Sequence, residues 1–150
     1  MYDSSTGQAR ELNRCHQYGQ GRRIMSARDK LQEARQVDKV ILVNQKLMLE
    51  LEELRKIAEA TGASPEAIQS LEDQKATVTE EIIKDQAIKT EALRIINTLD
   101  KPLYRAMLTE HYIRGKPWEL IADDFGYSKS HIEKMHGWAL KELEGKEVKN

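Results

Sequence analysis

The chain has 150 residues, 39% of them hydrophobic and 33% charged, and its formal net charge is -1. Three prolines, one phenylalanine and no sustained two-residue alternation argue against a thick sheet core and for an all-α fold of long, exposed helices. The single cysteine, Cys15, excludes an intrachain disulfide and points to a reducing compartment, and no run approaches the roughly 20 apolar residues of a membrane span.

Residues 1–24 are polar and without period, and read as a flexible basic segment. No apolar signal core follows Met1, so a cytoplasmic location is expected. Residues 1–30 carry six Lys/Arg against three acids, residues 31–100 nine against fourteen, and residues 101–150 nine against eight. An acidic middle thus cancels mildly basic ends.

A helical pattern begins near Ser26, a candidate N-cap with Asp29 three positions on as a weak capping-box partner. Val37, Val40, Asn44, Leu47, Leu51 and Leu54 then follow alternating steps of three and four, the a and d spacing of a coiled coil, and are the expected oligomerisation residues. A buried amide at Asn44 would fix register in a parallel pair. Ile41, Leu42, Val43 and Met48 widen the apolar stripe, which suits two partners, an intrachain arm and another subunit. Gly62, Ser64 and Pro65 supply a helix stop, a cap and a first-turn proline. A short helical turn over Ser64 to Leu71 and a second long helix with Val78, Ile82, Ile83, Ile88, Ala92, Leu93, Ile95, Ile96 and Leu99 on its apolar face are expected next. Residues 25–100 therefore read as a long, coiled-coil-like helical hairpin.

Asp100-Lys101-Pro102 marks a boundary, with a terminal domain over residues 101–145 and a tail over residues 146–150. Pro102 opens a helix that carries Leu103, Met107, Leu108, Tyr112 and Ile113 and stops at Gly115. Pro117 opens another, with Trp118, Ile121, Ala122 and Phe125 inward. Gly126 can take the positive φ of a tight turn, and Ser128 can cap a last helix buried through Ile132, Met135, Ala139, Leu140 and Leu143. Two helices joined so tightly have the outline of a helix-turn-helix, whose second helix can enter a DNA major groove.

Subtracting the inward face leaves Lys129, Ser130, His131, Glu133, Lys134 and His136 looking outward, and of these Lys129, Ser130, His131 and Lys134 are the candidate base contacts. Arg114, Lys116, Tyr127 and Ser128 are candidate backbone contacts, with the amides after Ser128 able to meet a phosphate. The histidines lack ligand spacing, and no phosphate loop or nucleophile motif is present, so neither metal, cofactor nor enzymatic activity is expected.

Residues 103–143 resemble region 4 of bacterial sigma-70 factors, through Ile113, Gly115, Trp118, Glu119, Ile121, Ala122, Phe125, Gly126, Ser128, Ile132, Met135, Ala139, Leu140 and Leu143. With its coiled first half the chain is similar to small phage and prophage regulators of the RinA and ArpU types. That resemblance implies a sequence-specific regulator of phage or prophage genes in a bacterial host, bound to double-stranded DNA as a homo-oligomer, a dimer being favoured. It makes Lys129, Ser130, His131 and Lys134 the DNA-facing residues and Ser128 a cap near a phosphate. Where the family commonly has arginines, this chain has Lys129 and His131. Two alternatives stand beside it: a small-terminase-like DNA-packaging component, and a protein-interaction module for host RNA polymerase or a repressor.

Overall fold

The computed structural model describes residues 25–149, and within them every regular element is helical. Helix α1 is Ala27–Ala60, α2 is Pro65–Ile96, α3 is Pro102–Leu108, α4 is Trp118–Phe125 and α5 is Lys129–Lys149; a π-helical turn, Thr109–Ile113, extends α3. The basic segment expected over residues 1–24 lies outside the described residues. Residues 146–149, expected as a tail, belong to α5.

Local chemistry sets the ends of the long helices. Ser26 Oγ accepts from the Asp29 amide at 3.1 Å, and Ser64 Oγ from the Ala67 amide at 3.1 Å, ahead of Pro65 in the first turn of α2. At the end of α1 the Ala63 amide reaches back to the Ala58 carbonyl at 2.9 Å, a closure that needs Gly62 at φ 77°. The short turn expected over Ser64 to Leu71 is instead the first part of one unbroken α2. After Pro65 no glycine or proline interrupts it, and Glu72 and Lys75 are held by Arg55 and Glu52 of α1.

The two long helices run antiparallel. Asp38 pairs with Lys89, Asn44 with Glu81, Met48 with Thr79 and Glu52 with Lys75, and in each pair the residue numbers sum to 125–127. Bonds from Lys75 and Arg55 hold the Glu52 carboxyl down at about 2. Asn44 is buried, but its amide faces Glu81 of the same chain at 3.5 Å, so the register it fixes is intrachain and antiparallel.

The residues expected along one seam divide between two surfaces. Asn44 and Leu51 are buried, Val37 and Leu47 are half-buried, and Val40 and Leu54 stay 47% and 50% exposed. Ala34, Ile41, Asn44 and Leu51 are the residues α1 buries along this stretch. Two heptad registers overlap on α1, and only one of them meets α2. On α2, Ile83 and Leu93, expected on the apolar face, are 63% and 36% exposed, because the helix buries a narrower face through Val78, Ala92, Ile95 and Ile96.

A single apolar core sits at one end of this pair. Ala27, Leu31 and Ala34 of α1, with Ala92, Ile95, Ile96 and Leu99, join Tyr104, Met107, Leu108, Tyr112, Ile121, Ala122, Ile132, Met135, Ala139, Leu140 and Leu143 in one cluster. The core crosses the boundary expected near residue 100. All five inward residues of α5 are buried in it, and Trp118 and Phe125 pack against its edge. On α3 the inward set shifts: the wide π turn brings His111 and Tyr112 inside, while Leu103 and Ile113 are half-buried.

Candidate functional site

Helices α4 and α5 meet through Gly126, whose φ of 77° lets its amide close α4 and turns the chain abruptly. The Tyr127 amide reaches back to the Ala122 carbonyl at 2.9 Å. Ser128 then starts α5: its Oγ accepts from the His131 amide at 3.1 Å and its carbonyl from the Ile132 amide at 3.0 Å. Replacing Ser128→Ala removes that acceptor and should lower stability by about 1 kcal/mol in urea unfolding. An unchanged midpoint would mean that solvent caps the helix equally well.

With Ile132, Met135 and Ala139 locked inward, Tyr127, Ser128, Lys129, Ser130, His131 and Lys134 are all exposed at one end of α5. These six sequence candidates form one continuous surface. The Tyr127 and His131 rings stack with centroids 5.1 Å apart, and Trp138, 49% exposed, meets His131 edge-on at 6.3 Å. Trp138 was absent from the candidates, although its step of seven from His131 places it on the outward face of a 3.6-residue helix.

The electrostatics are balanced rather than basic. Lys129 Nζ lies 2.9 Å from Glu119 of α4 and 4.0 Å from Glu133, and the Glu119 bond raises the lysine's pKa and lowers that of the carboxyl. Lys134 takes part in none of these bridges. Residues 117–138 hold two lysines against Glu119, Asp123, Asp124 and Glu133, so the surface carries two negative charges more than positive. Arg114 and Lys116 sit apart, on the turn before α4. Arg114 pairs with Glu110 at 3.1 Å, and Lys116 bridges Glu110 and Asp124 at 3.0 Å each.

Behind this surface lies a ring cluster that the sequence did not reveal, and it takes in His136, expected on the outward face, because Trp118 and Tyr112 close over that side of α5. His111 stacks on Trp118 with centroids 3.9 Å apart, and Trp118 meets His136 at 4.4 Å. His111 Nδ1 is 2.8 Å from the Lys116 carbonyl, which can only accept, so that nitrogen carries a proton. His136 Nε2 is 2.6 Å from the Tyr112 hydroxyl. Burial pushes both imidazoles down to about 4, helped by Arg35 near His111 and by His111 and Arg28 near His136. Both rings are therefore neutral at pH 7 and serve as packing.

Among the described residues no three His, Cys, Asp or Glu side chains gather as metal ligands, and no helix is long and apolar enough to cross a membrane. No family model, no curated protein and no solved structure matches this chain.

Proposed function

We propose that the chain is a sequence-specific, double-stranded DNA-binding regulator of phage or prophage genes, acting as a dimer or higher oligomer and without catalytic activity. In this reading α4, the Gly126 turn and α5 are a helix-turn-helix carried on a helical hairpin. The observation that carries it is the exposed set Tyr127 to His131 with Lys134, at the start of a helix whose other face is buried through Ile132, Met135, Ala139, Leu140 and Leu143. Lys129, Ser130, His131 and Lys134 would face base edges, while the amide end capped by Ser128 approaches a phosphate. Trp138 extends the same face one turn further.

The pairing of Lys129 with Glu119 makes a distinctive demand. To reach DNA the lysine must exchange a carboxylate for a phosphate or base, next to three further acids. Affinity should therefore be modest and steeply salt-dependent. Lys134→Ala should weaken binding to a preferred duplex, by roughly 1–3 kcal/mol if the residue reads a base, and weaken all duplexes alike if it meets phosphate. Glu119→Gln should do the reverse and tighten duplex binding severalfold by releasing Lys129. Anisotropy titrations of genomic fragments at about 50 mM salt measure both effects. Folded protein that binds no duplex there would overturn the reading.

The acidic face supports a second reading, a protein-binding surface with host RNA polymerase as one candidate partner. Leu120 is exposed beside Glu119, Asp123 and Asp124, the kind of edge that a basic partner would cover. Under that reading Glu119→Gln weakens the complex instead of tightening it.

A further inference from the structure

Helix α1 carries a second apolar stripe that nothing among the described residues covers. Val40, Val43, Leu47, Leu54 and Ile57 follow steps of three and four, with Glu50 at the remaining position of the repeat. Leu47 is half-buried, whereas Val40, Val43, Leu54 and Ile57 are 47%, 64%, 50% and 50% exposed. Helix α2 covers only one shoulder of the stripe, where Asn44 and Leu51 are buried. Leu31 and Asp38, which face the C-terminal helices, project about half a turn away from Val40 at 100° per residue. Val43, Leu54 and Ile57 thus look away from both intrachain neighbours, while Leu47 lies at the edge of the stripe nearest Gln74 and Val78 of α2. Lys39, Lys46 and Glu53 stand on its open shoulder, and none of them forms a salt bridge among the described residues.

We propose that this stripe pairs with the same stripe of a second copy, antiparallel, about a two-fold axis between Met48 and Leu49. The proposal deepens the oligomeric part of the function proposed above and supplies its interface. Charge decides both the occupant and the direction. Read backwards against itself, the shoulder brings Lys46 opposite the partner's Glu53 and beside the partner's Glu50, twice by symmetry. Val40 then meets the partner's Ile57, and Val43 meets the partner's Leu54. A parallel pair would stack Glu50 on the partner's Glu50 and leave Lys46 facing a shoulder already buried by α2. Because α2 has already ordered α1, association spends little on helix formation. Pairing at working concentrations requires a dissociation constant of about a micromolar or tighter.

Full-length protein at a few tens of micromolar (a few tens of times that constant) should sediment as a dimer of 17.3 kDa chains. Val43→Glu combined with Leu54→Glu should make it a monomer, raising the dimer constant at least about a hundredfold, with far-UV helicity unchanged because both side chains are already exposed. In a Cys15→Ser background, an equal mixture of Lys46→Cys and Glu53→Cys chains should oxidise to the mixed disulfide dimer, and each variant alone should not. A monomeric wild type, a double variant that stays dimeric, or cross-linking of each variant to itself would overturn the proposal. The DNA reading fails separately: a monomer that still binds duplex sinks only the pairing, and a dimer that binds no duplex sinks only the DNA function.

Discussion

Lowering the pH from 6.5 to 4.5 should cost the fold on the order of 3 kcal/mol through His111 and His136 together. Both rings are held down at about 4, chiefly by burial, against 6.5 when free. Above pH 6.5 they are neutral in the folded and unfolded chains alike, and the stabilisation is complete. As the pH falls, the unfolded chain takes up protons that the folded core refuses, and stability drains away until the folded pKa is reached. Full linkage would give about 3 kcal/mol for each ring, but His136 is only half-buried and solvent screens part of its share. The window also isolates the imidazoles, because Glu52 and Glu91, held at about 2 by their basic partners, lose their contribution only below 4.5. Urea unfolding at half-unit pH intervals measures the slope. His136→Phe, which keeps a ring against Trp118, should remove roughly half of it. A flat profile in the wild type would show that the rings protonate freely in the folded state.

Gly115→Ala is expected to be the most damaging glycine-to-alanine change among the described residues, at about 2–3 kcal/mol. Gly115 sits at φ 76°, where a side chain costs about 1–2 kcal/mol of backbone strain alone. A Cβ there would also stand 2.9 Å from Asp38 Oδ2. That carboxylate has little room to move, since it is 17% exposed and accepts from Lys89 Nζ at 2.7 Å. The methyl group would therefore push on the joint between the turn before α4 and both long helices. Gly126→Ala is the control: φ is 77°, but nothing lies within 4 Å of the added atom, so only the backbone term applies. The difference between the two variants in urea unfolding reports the Asp38 contact. Equal losses would mean that the carboxylate simply moves aside.

The sequence carried the fold best where chemistry is local. Ser26, Gly62, Ser64, Gly126 and Ser128 each mark a helix end that the structure places at that residue, because caps and left-handed turns depend on one or two neighbours. The inward faces of α4 and α5 were equally legible, as a short helix on one core has only one apolar side. Helix α1 was not. Its apolar residues surround much of the helix between Val40 and Ile57, and which register meets α2 is settled by ion pairs such as Asp38 with Lys89, from residues more than fifty positions apart. The π turn was hidden for a related reason: an inserted residue shifts the face of α3 without any glycine or proline to announce it. Within the candidate site, exposure of Lys129, Ser130, His131 and Lys134 followed from subtracting the buried face. The grip of Glu119 on Lys129 did not, because it joins two helices across a turn whose angle periodicity cannot supply.

The amide of Ala27, where α1 begins, donates at 2.6 Å to the Glu147 carboxylate near the end of α5, 120 residues later. The first and last helices of the described chain therefore close on each other, with Leu31 and Ala34 at the bottom of the joint. A chain still attached to the ribosome can assemble its two long helices early, because their connection is only a few residues. The apolar base of α1 must wait, uncovered, until α5 has left the exit tunnel. Synthesis order thus makes α5 the element that seals the base of α1, and a chain cut short before α5 would remain an open, aggregation-prone intermediate.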